Sequence, residues 1–167
     1  MNIFVKPTIK SEAERLSEIQ RAAFLPLYEK YRDNRNPALR GVEDITDKLD
    51  SGCHRYFTIF LDEKIVGGIV YRTKCDSIIT DNMEEGQYYL NRIYIDPKLQ
   101  CKGLGQKAIL LAEKELADAK CFFVDFPEDM EKNRRCYEKA GFSDTGERIV
   151  TQDGPVLALY KKEVLRG

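Results

Sequence analysis

The chain has 167 residues, enough for one domain with a substantial core and too few for a second catalytic domain. Its 43% hydrophobic and 33% charged residues exclude a disordered, collagenous or membrane-embedded protein. Twenty-seven basic residues against 28 acidic ones leave a formal charge of −1, so no global field grips phosphate backbones or anionic lipid, and neither nucleic acid nor membrane is an expected partner.

In chain order, Ile3, Phe4 and Val5 predict a short first strand ended by Pro7. Ser11 and Glu14 have capping-box spacing, and Ala13, Leu16, Ile19 and Ala23 recur at helical intervals, predicting an amphipathic helix over 11–25 that stops at Pro26. Val42, Ile45 and Leu49 predict a second, shorter helix ending near Gly52. The β-branched and aromatic runs 56–61 and 65–71, joined by Asp62-Glu63-Lys64, predict a hairpin. Residues 74–86 are polar and acidic and read as a connection, in which Ile78 and Ile79 could extend a strand.

A strand over 88–95 ends at Asp96-Pro97, a helix follows over 104–119, a compact strand over 121–126, and a helix over 128–140 closed by Gly141. Asp153-Gly154, between the runs 147–151 and 156–161, signals a second hairpin. The order β-α-α-β-β-β-α-β-α-β-β predicts a single α/β domain over 1–167. Five cysteines, odd in number and widely spaced, predict neither a disulfide framework nor a zinc site, so a reducing cytoplasm is the expected location and no metal is expected. The amino terminus lacks a basic stretch followed by a long apolar one, and no run approaches ~18 apolar residues, so neither secretion nor membrane insertion is expected.

The most informative segment is Gln100-Cys101-Lys102-Gly103-Leu104-Gly105, because it follows a strand and opens a helix. Glycines there permit backbone angles closed to other residues, and a helix start offers unpaired amides and a positive dipole end to a phosphate. Gly103 to Ala108 also satisfies the dinucleotide pattern G-x-G-x-x-G/A, with Asp125 twenty residues after Gly105 as its ribose-binding acid. Against that rival, residues 96–102 separate the strand from the first glycine, and too little chain follows for the remaining strands and a substrate domain. No Walker pattern occurs.

Gln100, Gly103 and Gly105 after a proline-ended strand, followed by helix, strand, helix and Tyr137-Glu138-Lys139-Ala140-Gly141-Phe142, resemble the GNAT superfamily of N-acetyltransferases. The resemblance spans nearly the whole chain. It implies a mixed, mostly antiparallel central sheet of six to seven strands, splayed at its centre and flanked by about four helices. It also implies acetyl-CoA as cosubstrate and a primary amine of a small molecule or peptide as acceptor, with direct attack in a ternary complex. A catalytically degenerate relative that binds coenzyme A as a sensor or partner module is the alternative, and a nucleotide-binding oxidoreductase a third reading.

By the same resemblance, the pyrophosphate belongs in the loop of Gln100, Cys101, Lys102, Gly103, Leu104, Gly105, Gln106 and Lys107, and the pantetheine along Ile93, Tyr94 and Ile95. Tyr137 becomes the general acid. Asn133, one helical turn earlier, is the candidate cofactor asparagine, since Met130 occupies the family's usual place seven residues before the tyrosine. Many relatives carry a glutamate base where this chain has Tyr89, so Glu84 and Glu85 just upstream are the candidate bases. Phe24, Tyr28, Tyr31 and Tyr89 are candidate acceptor-site walls, and Asp81 with the two glutamates suits a cationic amine. Homodimerisation is common in the superfamily, although no residue marks an interface. His54, the only histidine, reads as structural.

Overall fold

Strands form where β-branched and aromatic residues alternate, and helices where apolar residues recur every three to four positions; the computed structural model describes residues 2–75 and 83–164. The strands are β1 (Ile3–Pro7), β2 (His54–Leu61), β3 (Lys64–Thr73), β4 (Gln87–Ile95), β5 (Cys121–Pro127), β6 (Ser143–Ile149) and β7 (Leu157–Glu163). The helices are α1 (Ala13–Tyr31), α2 (Val42–Asp50), α3 (Leu104–Glu115) and α4 (Glu131–Lys139), so the predicted element order holds. Asp81, Ile78 and Ile79 lie outside the described residues.

The described strands make one seven-stranded sheet in the order β1-β2-β3-β4-β5-β7-β6, in which β4 and β5 run parallel and the other neighbours antiparallel. Helices α3 and α4 cover one face through Ala108, Ile109, Ala112 and Tyr137, packed on Tyr71, Leu90, Phe122 and Phe126. On the other face α1 and α2 bring Leu16, Ile19 and Ile45 onto Tyr56, Val70 and Tyr94. The parallel pairing of β4 with β5 begins at Gln87↔Cys121 and ends at Leu90↔Val124, while β4 itself continues to Ile95 on β3. Beyond Leu90 the two central strands part, and the β4 edge from Asn91 to Ile95 that faces β5 has no ladder partner among the described residues.

The structure corrects three expectations. Helix α1 runs through Pro26 to Tyr31, where Arg32 ends it in the left-handed region. The proline forfeits one helical hydrogen bond, and α1 continues beyond it, so Tyr28 and Tyr31 stand on the same helix as Phe24, which meets Tyr94 edge-on at 6.3 Å. At the other end of α1 it is Glu12, not a Ser11–Glu14 box, that closes the start: its carboxylate accepts from the Ile9 amide and the Thr58 hydroxyl. Cys53 and Cys75 form a disulfide with Cα atoms 5.1 Å apart. Their separation of 22 residues hid this, because the β2–β3 hairpin folds back and sets Cys53 beside Thr73, whose amide bonds the Cys53 carbonyl. Cys101, Cys121 and Cys136 are free thiols. Among the described residues no helix is long and apolar enough to cross a membrane.

Under α1 and α2 lies a polar cluster. Arg92 on β4 pairs with Asp44, which also accepts from Lys48 at 3.0 Å. Burial alone would raise Asp44, but the Arg92 and Lys48 charges hold it below the usual carboxylate range. His54, bonded to the Ser51 hydroxyl at 2.7 Å, is lowered to about 4 by burial and then by the charges of Lys48, Arg72 and Arg92, with Asp44 opposing them. A histidine held neutral in the fold while the unfolded chain protonates near 6.5 contributes stability that is intact above pH 6.5 and is lost as pH falls towards 4. Thermal unfolding at pH 7 and pH 5 should therefore show a loss in the wild type that His54→Gln reduces by about 1–2 kcal/mol, after discounting for partial exposure. Equal losses in both proteins would refute it.

Candidate functional site

The loop leaving β4 is built to present amides. Asp96 caps the turn by accepting from Lys98, and the Gln100 carboxamide donates to the Ile95 carbonyl at 3.1 Å while accepting from Lys132 of α4 at 3.3 Å. Cys101 and Gly103 adopt φ of 67° and 75°, the left-handed region in which a side chain is disfavoured. The first helical bond of α3 runs from the Lys107 amide to the Gly103 carbonyl, so the amides of Leu104, Gly105 and Gln106 have no helical acceptor. A Cβ at Gly103 would meet nothing within 4 Å, so the space over the turn is open. Lys102 and Lys107 are exposed beside it and in no ion pair with a described residue. Such a turn binds anions.

Gly105 packs beneath: a Cβ there would lie 3.7 Å from Cys136 Sγ of α4 and 3.9 Å from Ile93 Cδ1 of β4, ordinary van der Waals contact. This contact sets the α3 start against α4 and next to the free β4 edge that holds Ile93, Tyr94 and Ile95. Tyr94 itself turns to the α1 side and is buried there.

Tyr137 projects from α4 into the face covered by α3 and α4. Its ring lies 5.1 Å from Phe126 and 6.0 Å, edge-on, from Phe142. Burial first, then the neighbouring Cys136 and Asp125 charges, push its phenol above the ordinary value, so it is a protonated hydroxyl at neutral pH. Asn133 is half-buried one turn earlier on α4.

The opposite face carries a second group. Tyr89 pairs with Arg72 on β3 and Phe123 on β5, and its hydroxyl donates to the Asp125 carboxylate on the diagonal. Asp125 is the first β5 residue beyond the last parallel pair, so it stands where the strands part. The Arg72 guanidinium lies 5.2 Å over the Tyr89 ring. Burial raises the Asp125 carboxyl, although the Tyr89 hydrogen bond and the Arg72 charge oppose the shift. Burial and the same carboxylate raise the Tyr89 phenol.

The aromatic end of α1 borders this face: Phe24 on Tyr94, Tyr28 beneath the Arg32 guanidinium at 5.2 Å, and Tyr31 donating to Asp129 in the loop after β5 at 2.5 Å. The structure thus brings the loop residues, Ile93, Ile95, Asn133 and Tyr137 to one side of the fork, and Phe24, Tyr28, Tyr31 and Tyr89 to the other. It does not bring Glu84 and Glu85 there. Both are exposed at the turn before β4, where Glu84 and Gln87 bond each other, beyond the roughly 10 Å of strand that separates Gln87 from the fork at Leu90. Sequence reasoning missed Arg72 and gave Asp125 a role only under the dinucleotide reading. The available signal was a lone carboxylate, Asp125, inside the apolar run 121–126.

Several solved structures share this fold at low identity. They include the PaiA N-acetyltransferase from Thermoplasma acidophilum in complex with coenzyme A, at 16% identity and TM-score 0.71, covering 98% of this chain and 100% of that one. AAC(6')-Ib in complex with ribostamycin and coenzyme A matches at 16% identity and TM-score 0.75, covering 98% and 94%. The ribosomal-protein-S18-alanine N-acetyltransferase from Escherichia coli matches at 12% and 0.71, covering 99% and 96%. No curated protein matches this chain by sequence. The sequence model of the acetyltransferase (GNAT) family matches residues 13–142, from the first turn of α1 to the residue before β6, and the chain belongs to that family.

Proposed function

We propose that the protein is an N-acetyltransferase that moves the acetyl group of acetyl-CoA onto a primary amine by direct attack in a ternary complex. The observation that carries this reading is the fork itself: a β4 edge without a ladder partner among the described residues runs from Asn91 into a turn whose first amides have no helical acceptor. A pantetheine arm offers amides of the kind a missing strand would supply, and a pyrophosphate offers the charge the turn lacks. The solved relatives described with coenzyme A or with ribostamycin support both substrates.

Acetyl-CoA, when bound, supplies an acyl carbon activated as a thioester and a thiol leaving group. Amides of residues 101–106, with Lys102 and Lys107, hold the anionic end. The open β4 edge aligns the arm, so the reacting carbon lies in the fork between Tyr137 and the Tyr89 face, where placement lowers the barrier. Tyr137 hands its phenolic proton to the departing sulfur as the C–N bond forms and the C–S bond breaks; a proton from the attacking nitrogen restores the phenol. Phe24, Tyr28 and Tyr31 wall the acceptor side.

Calorimetric titration with acetyl-CoA, coenzyme A and NAD, followed by free-thiol release with an amine panel, tests this. Binding of the first two and thiol release support it. NAD binding alone would overturn it, and coenzyme A binding without thiol release from any amine would leave a binding module. Gly103→Val should weaken acetyl-CoA binding by about tenfold or more, because a β-branched residue is strained at φ 75° and its amide leaves the turn; unchanged affinity would remove the turn from the site.

A further inference from the structure

The face opposite Tyr137 offers the amine something the loop does not. Attack requires an unprotonated nitrogen, whereas an alkylamine is a cation at neutral pH, so a proton acceptor has to stand at the fork. Glu84 and Glu85 do not reach it. Among the described residues Asp125 does: it is half-buried, first past the last β4–β5 pair, and it opens onto the face bordered by the α1 aromatic residues. Its neighbour Phe126 packs on Tyr137, so the carboxylate and the phenol flank the same opening from opposite sides of the sheet. Tyr89 fixes its orientation through one hydrogen bond and leaves the remaining lone pairs for a ligand.

We infer that Asp125, oriented by Tyr89 in front of Arg72, is the acceptor-side base: it pairs with the substrate ammonium and takes its proton. This rests on the acetyltransferase reading. In the step one N–H bond of R–NH3+ breaks and one O–H bond forms on Asp125, leaving a neutral amine and a neutral carboxylic acid. After transfer the acid returns its proton to water, so one proton is released per amide formed.

The groups facing Asp125 on its own side of the sheet are Tyr89 from β4 and Arg72 from β3, with Lys161 of β7 set back over the Phe123 ring at 5.4 Å and uncharged Leu159 as the β7 register partner; Tyr137 of α4 feels its charge from the other side. Burial outweighs the Tyr89 bond and the Arg72 charge, which leaves the carboxyl a better base than an exposed aspartate. The Arg72 charge favours the ionised carboxylate.

The test follows carboxyl carbons of aspartate-labelled protein by carbon-13 NMR with coenzyme A present, Asp125 being assigned as the signal missing in Asp125→Asn. That variant keeps an acceptor oxygen for the Tyr89 hydroxyl and so preserves the local bond. We expect the Asp125 signal to titrate above the ordinary carboxylate range, to move higher in Tyr89→Phe, and to move lower when n-butylamine is added. Titration in the ordinary range, or no response to n-butylamine, overturns the proposal even if acetyl-CoA binds and thiol is released. Conversely, failure to bind acetyl-CoA sinks the acetyltransferase reading while the titration still judges Asp125. In thiol-release assays Asp125→Asn should lower kcat/KM about 100-fold for the amine used and abolish the acidic limb, with methoxyamine, already neutral at pH 7, losing far less. Equal losses for both amines would make Asp125 structural and would also overturn the assignment.

Discussion

Replacing Tyr137 by phenylalanine is expected to lower turnover about 100-fold or more while leaving acetyl-CoA affinity within about threefold. The ring is held by Phe126 at 5.1 Å and Phe142 at 6.0 Å, and both contacts survive loss of the hydroxyl. No described residue hydrogen-bonds that hydroxyl, so its removal leaves no orphaned partner. What disappears is the hydroxyl that the proposed mechanism uses as its proton donor. Burial first, then the Cys136 and Asp125 charges, keep the phenol protonated at neutral pH, so its proton is in place when the sulfur develops charge. Steady-state kinetics with thiol detection, beside calorimetry for the cofactor, separates the two quantities. Unaltered turnover would remove Tyr137 from the chemistry and leave it an aromatic packing residue.

The second large effect falls on stability. Gly67→Ala should cost about 3 kcal/mol, a fall of roughly 6–12 °C in Tm for a domain of this size. A Cβ at Gly67 would lie 2.1 Å from the Tyr94 carbonyl oxygen and 3.1 Å from its carbon, both backbone atoms that cannot swing aside. The close approach follows from the register: Gly67 pairs with Ile95 on β4 and with Ile59 on β2, next to the bulge that shifts Phe60 onto Ile65. The β4 segment that leans on Gly67 is also the segment that parts from β5, so the glycine shapes the fork as well as the core. Gly103→Ala makes a useful contrast, since its Cβ meets nothing within 4 Å and only the positive φ opposes it. An alanine at position 67 that melted with the wild type would show that β3 and β4 can separate freely there.

Much of the architecture was legible because its signals are local. Alternation in residues 56–61 and 121–126, helical recurrence from Leu104 to Leu116, and a glycine turn after a proline-ended strand depend on neighbours within a few positions. These sufficed for element order, for the resemblance carried by Gln100, Gly103, Gly105 and Tyr137, and for placing the glycine turn at the start of α3.

What the chain could not reveal by pattern depends on register between distant segments. Pro26 looked like a terminator, yet packing of Phe24 on Tyr94 accompanies a helix that continues past it. Cys53 and Cys75 meet only because a hairpin reverses the chain. Tyr89, Arg72 and Asp125 lie on three strands, and a one-residue slip in any ladder would turn one of them to the other face. Local sequence thus determined that a glycine turn opens a helix after β4 and which elements surround it. Tertiary structure alone decided which carboxylate stands at the fork, because hydrogen-bond registry between strands, rather than proximity along the chain, chooses the side chains that share a face.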